Sequence, residues 1–239
     1  MSPDGTDHDP AAAANAALRR IWLDAISQGG WPRELARRWP MQYPPLQPGR
    51  LLFIGFNPSF SQRALAASDD ASLQDASDLN DASKVQGRLD AESRWRTGDA
   101  LYPYFTPFRE FMLPWEHIDI FAVRERDQAT VQAALHLREG KVWTAFAKEQ
   151  FMVFEHLLAS LRPTGIVVVS ALGSVLLSAL WRTANRLSPG EHDGRGLLRI
   201  GARATPVFFA GMLSGLRAMD RFSRARLIYE VQGAALKGR

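Results

Sequence analysis

Two short turns in this 239-residue chain carry side chains able to do chemistry. The first, Asn57-Pro58-Ser59-Phe60-Ser61, places a carboxamide and two hydroxyls directly after an apolar run. A carboxamide there can position a water molecule, and Ser59 or Ser61 can hydrogen-bond a phosphate. Asn and Pro are also ordinary turn formers, so a simple Asx-type turn accounts for the same residues. The second turn, Gly211-Met212-Leu213-Ser214-Gly215-Leu216-Arg217, reads as a loop that opens a helix. Backbone N–H groups at a helix N-terminus bind anions, and Ser214 and Gly215 let a phosphate approach closely. Leu213 or Leu216 could wedge into a base stack. A plain Ser N-cap with a Gly spacer is the structural alternative.

Three further features bear on binding. Arg217, Arg221 and Arg224 fall within about 60° of one another on a helix, so they could track a phosphate backbone or simply form a solvated basic face. Tyr102, Tyr104, Phe105 and Phe108 could offer a ring for base stacking, or they could be core. His8, His117, His136, His156 and His192 are scattered without ligand spacing, which argues against zinc. The Gly-Lys-Ser/Thr ending of a P-loop is missing, and Gly211 to Gly215 is one residue out of register with a nucleophile elbow.

Such turns need a scaffold to aim them. Residues 51–56, Leu-Leu-Phe-Ile-Gly-Phe, form a short apolar run that fits a strand buried on both faces. Residues 118–123, 166–169 and 207–209 read as three more strands. Helical spacing runs from Leu18 to Ile26, from Trp143 to Leu161, over about 175–187, and from about Leu216 to Gln232. Residues 40–48 form a Pro-rich connector, 102–108 a loop leading into a short helix, and 190–196 a turn. The pattern predicts an α/β fold with three α/β/α layers around a four-stranded, mainly parallel sheet. Ligands of such sheets bind beyond the carboxyl ends of the strands, which selects Asn57, Arg124-Glu125, Ser170-Ala171 and residues 211–217.

Composition bounds the function class. The chain is 46% hydrophobic, enough for one substantial domain over residues 18–239, behind a disordered leader at 1–17. Residues 66–92, rich in Ala, Ser and Asp, read as a polar insertion, either mobile or a loose helix. Absence of cysteine removes disulfides and thiolate metal sites. No apolar run reaches the roughly 18 residues of a membrane span, and no signal peptide precedes the domain, so a cytoplasmic monomer is expected. Net charge is only +4, but the basic C-terminal end suits a polyanion.

Gly55-Phe56-Asn57-Pro58-Ser59, taken with Ser214-Gly215-Leu216-Arg217, resembles the two signature motifs of the uracil-DNA glycosylase superfamily. The likeness is nearest to its mismatch-specific and single-strand-selective branches, whose first motif reads Gly-x-Asn-Pro-Gly. It spans roughly residues 50–230. The resemblance implies a DNA partner, base flipping, and hydrolysis of the N-glycosidic bond of a deaminated or damaged base, with no metal, cofactor or covalent intermediate. It implies that Asn57 positions the attacking water, and that Phe56, Phe60, Phe105 and Arg124 surround the base. Ser59, Ser214, Gly215, Leu216, Arg217 and Arg221 would then hold the DNA. Met212-Leu213 stands where the family places His-Pro or Asn-Pro, Ser59 replaces the second glycine, and Arg124 lies where several branches carry a uracil-reading Asn. Three readings stay open: a glycosylase for some base, a silent nucleic-acid or nucleotide-binding module on the same fold, and an unrelated small-molecule enzyme with a Rossmann-like sheet.

Overall fold

The computed structural model describes residues 9–28, 33–59, 76–97, 102–138, 141–190, 194–215 and 218–237. Strand β1 (Leu51–Gly55) is buried at every position, as its unbroken apolar run requires. It lies between β2 (Trp115–Asp119) and β3 (Gly165–Val168), parallel to both. The sheet continues through β6 (Arg203–Phe209), parallel to β3, then β5 (Arg195–Ile200) and β4 (Leu187–Pro189), which run antiparallel. The order is therefore β2-β1-β3-β6-β5-β4. The expected four strands form the parallel half, and the sheet has six.

Of the two additional strands, β4 begins where the expected helix at 175–187 ends, and β5 begins within the last two residues of the expected turn at 190–196. β5 buries only alternate residues, Gly196 and Leu198, so it lacks the continuous apolar run that marks the parallel strands. Its link to β6 is a two-residue loop, with Ile200 paired to Arg203, and Gly201 supplies the positive φ of 59° that such a loop needs.

Both faces of the sheet are covered. Leu52, Ile54 and Phe56 pack with α1 (Pro10–Gln28), α4 (Ala145–Leu161) and α5 (Ala171–Thr183). The opposite face, with Leu51, Phe53, Val167 and Phe208, packs under a 3-10 helix (Pro103–Phe111) and α6 (Arg221–Lys237). Helix ends follow local rules. Asp127 caps α3 (Gln128–Leu135), Thr144 caps α4 through Ala147 N–H, and Ser170 caps α5 through Gly173 N–H.

Two expectations are corrected. Residues 10–17 of the expected disordered leader begin α1, where Ala11 and Ala14 are buried and Asn15 exchanges hydrogen bonds with the Tyr43 backbone. Small alanines without periodic bulk leave no apolar stripe to read, yet they allow close packing. Within the expected polar insertion, residues 82–92 belong to α2 (Ala82–Thr97), a packed helix. Its inward face is charged, with Arg88, Glu92 and Arg96 each under 5% exposed, so apolar periodicity is blind to it.

Candidate functional site

Ile54 is in register with both Ile118 and Val168, and Val168 with Phe209, so the loops after β1, β2, β3 and β6 leave the sheet at one rim. Asn57 and Ser214 belong to loops that leave at that rim, after strands two spacings apart, roughly 10 Å at the level of the sheet.

The Asn57 carboxamide is clamped. Its Nδ2 donates to the backbone carbonyls of Pro58 at 3.1 Å, Val123 at 3.1 Å and Glu125 at 2.7 Å. Reversing the amide would set its oxygen against three carbonyl oxygens, so this network fixes the orientation. Oδ1 is left buried without a hydrogen-bond partner among the described residues.

The expected base pocket is not assembled from the residues nominated for it. Phe56 is buried against Phe121, ring centroids 5.5 Å apart, on the α1/α4 side of the sheet. Phe105 is core, stacked on Trp115 at 5.8 Å and edge-on to His117 at 5.3 Å. Arg124 is buried and ion-paired with Glu92. Such groups are held by packing on several sides, which removes them from a base. Phe60 lies outside the described residues.

The expected phosphate cradle is also revised. Helix α6 starts at Arg221, not in the 214–217 loop, and Asp220 occupies its N-terminus by accepting from Phe222 N–H at 2.9 Å and Ser223 N–H at 3.0 Å. A carboxylate in that place uses the donors a phosphate would need. Leu213 is core, Ser214 is half-buried, and Ser59, Gly215 and Arg221 are exposed. Leu216 and Arg217 lie outside the described residues. Along the basic stripe, Arg224 pairs with Glu110 at 3.2 Å.

A second constellation was not among the sites expected from the sequence. His117 and Asp119 sit on one face of edge strand β2, and Gly55 beside them has no side chain. The Asp119 Oδ1 lies 2.1 Å from where a Gly55 Cβ would be, and His117 Nε2 lies 3.1 Å from it. His117 Nε2 is 3.4 Å from the Tyr104 hydroxyl and 3.9 Å from Asp119 Oδ1. The Tyr43 hydroxyl donates to the Asp119 carbonyl and accepts from its N–H, both at 3.3 Å, which satisfies the outer edge of β2 at Asp119. Arg96, from α2, lies 5.8 Å from the Tyr43 ring centroid.

Burial dominates the electrostatics. It pushes Asp119 up to about 7, although Arg96 and Arg124 pull the other way. Burial, and then the Arg96 charge, hold His117 well below its ordinary range, so its ring is neutral at pH 7. Burial raises both Tyr43 and Tyr104. It would raise Glu92 too, but the Arg124 and Arg88 guanidinium groups outweigh it and lower the carboxyl. Clues existed in principle: His117-x-Asp119 alternates on a strand, and Arg88, Glu92 and Arg96 repeat every four residues on a helix.

Gly55 makes the constellation testable. Gly55→Ala forces Asp119 to move, and the expected loss is about 1–3 kcal/mol in urea unfolding. Combining it with Asp119→Ala, which removes two of the three close contacts, should destabilise by clearly less than the sum of the single changes. Strict additivity would show that the carboxylate does not fill that space.

Fold and site together define a mixed α/β protein with a polar rim and a buried ionisable cluster beside its edge strand. Comparison with protein-family models, with curated proteins and with solved structures finds no match. Among the described residues, no helix is long and apolar enough to cross a membrane, and no group of three or more His, Asp or Glu side chains could hold a metal ion.

Proposed function

We propose that this chain is a DNA glycosylase-like protein, hydrolysing the N-glycosidic bond of a deaminated or damaged base, with Asn57 directing water. The observation that carries this reading is the clamped carboxamide. Three carbonyls hold Nδ2, and the remaining acceptor, Oδ1, is the atom a water-directing Asn must use. In the reaction, water oxygen forms a bond to C1′ of the sugar and the C1′–N bond breaks. The base departs with the electron pair, and one water proton is lost. Asn57 and Ser214 follow β1 and β6 of one parallel half-sheet, an order compatible with holding a flipped nucleotide beside its flanking phosphate.

The test uses oligonucleotides containing uracil, hypoxanthine or hydroxymethyluracil, incubated with purified protein and then cleaved with alkali at abasic sites. Strand breaks are expected on at least one of them, with a rate lowered about a hundredfold or more in Asn57→Ala. Breaks unaffected by Asn57→Ala would remove the assigned role.

Burial of Phe56, Phe105 and Arg124 favours a second reading, in which the same rim binds nucleic acid without cleaving it. It predicts no breaks on any substrate, together with retention on DNA that weakens steeply with salt and with Arg221→Ala. Binding indifferent to ionic strength would exclude it.

A further inference from the structure

We propose that the buried guanidinium of Arg96 is a binding site for one small oxyanion, a carboxylate or phosphate group, within a ring formed by Tyr43, Tyr104, His117 and Asp119. The site does not depend on glycosidic-bond chemistry, and either outcome of the glycosylase test leaves it standing.

Arg96 is only 3% exposed, yet Nε, Nη1 and Nη2 all lack a hydrogen-bond partner among the described residues. A desolvated guanidinium with five idle N–H donors is among the most unfavourable groups to bury, and a planar oxyanion satisfies it through paired hydrogen bonds. The nearest carboxylates already pair with other cations. Glu92 binds Arg88 at 2.9 Å and Arg124 through Oε1, and Glu116 pairs with Arg50 at 3.2 Å. Tyr43 presents its ring, 5.8 Å from the guanidinium carbon.

Charge points the same way. The guanidinium groups of Arg50, Arg88, Arg96 and Arg124 are matched among the described residues by the carboxylates of Asp9, Glu92, Glu116 and Asp119. With Asp119 protonated, four guanidinium groups face three ionised carboxylates, a balance that suits an anion better than a cation. His117 Nδ1 is also buried without a hydrogen-bond partner among the described residues.

Asp119 gives the site a pH signature. The charged and titratable groups facing it are Glu92 and Arg96 from α2, Arg124 from the loop after β2, His117 from β2 itself, Tyr43 from the connector, and Tyr104 from the 3-10 helix. With its proton, Asp119 is neutral and can donate to an oxyanion. Once ionised, it repels one. Binding is therefore strongest below about pH 7 and declines above it.

The experiment titrates the intact protein with acetate, whose charge is constant from pH 6 to 8, followed by intrinsic fluorescence at matched ionic strength in chloride. A parallel series with inorganic phosphate separates a phosphate-bearing from a carboxylate-bearing source by relative affinity. Saturable binding is expected, with half-saturation about tenfold higher at pH 8 than at pH 6 for acetate. Arg96→Gln should raise half-saturation by about tenfold or more. Asp119→Asn should keep binding and flatten its pH dependence, and Lys148→Ala, at an exposed position on α4, should change nothing. Equal effects of chloride, loss of binding in Lys148→Ala, or no response to either anion would overturn the proposal. If Arg96→Gln does not fold, the wild-type and Asp119→Asn pH series decide, and equal acetate affinity at pH 6 and 8 in the wild type rejects the site.

Discussion

Glu92→Gln should lower the unfolding free energy at pH 7 by about 3–5 kcal/mol, although the side chain keeps its shape. Glu92 is 4% exposed and is the anion that Arg88 and Arg124 share. Removing its charge leaves those guanidinium groups, with Arg96 one helical turn further on, facing each other in a poorly solvated space. Burying cations without a partner is the expensive half of any buried ion pair, so most of the loss comes from what remains. The sign with pH follows from the direction of the Glu92 shift. Its carboxyl is lowered from 4.5 in the folded chain, so its stabilisation is complete above about pH 4.5 and is lost as pH falls through the lower folded value. The gap between wild type and Glu92→Gln should therefore be full at pH 7 and shrink in acid. Urea unfolding at pH 7 and pH 4 measures it. A loss below about 1 kcal/mol at pH 7 would mean that the arginines are solvated and that α2 does not close over β2.

Phe53→Ala is expected to cost about 3–5 kcal/mol, by the loss of transfer energy together with the cavity left behind. Phe53 is fully buried at the centre of the face beneath the 3-10 helix. Its ring stacks on Phe108 at 4.1 Å and meets Phe111 edge-on at 4.9 Å. Those partners belong to the segment that also carries Tyr104, so the substitution should loosen the cover over His117 and Asp119. Amide exchange within residues 103–112 should accelerate more than exchange in α4, which packs on the other face. Phe53→Leu, which retains most of the volume, should show a smaller version of both effects. Uniform acceleration across both faces would indicate that only global stability had changed.

Much of the frame is legible in the chain itself. β1 and β3 are short apolar runs because both their faces are buried, and α4 announces itself by Thr144 at one end and Pro163 beyond the other. Asn57 stands out because it follows a buried strand, and its turn leaves the sheet at the rim. Its three carbonyl partners were not readable, since two of them are contributed from 66 and 68 residues away. β2 was expected three or four residues late, at 118–123. The reason is chemical: Glu116, His117 and Asp119 interrupt the apolar signal at positions whose burial is made tolerable by Tyr43, Tyr104 and α2.

Local chemistry in the chain is thus sufficient for β1, β3 and α4 and for the position of the Asn57 turn. Each of these rests on neighbours a few residues apart, through alternation, turn geometry or capping. The ionisable cluster and the antiparallel half arise only on folding. A buried Arg96 or Asp119 looks like a surface charge in a linear string, and its environment is created by segments that meet from α2, residues 41–43, the 3-10 helix and β2. Burial is a property of the assembled neighbours, and so are the charge states that follow from it.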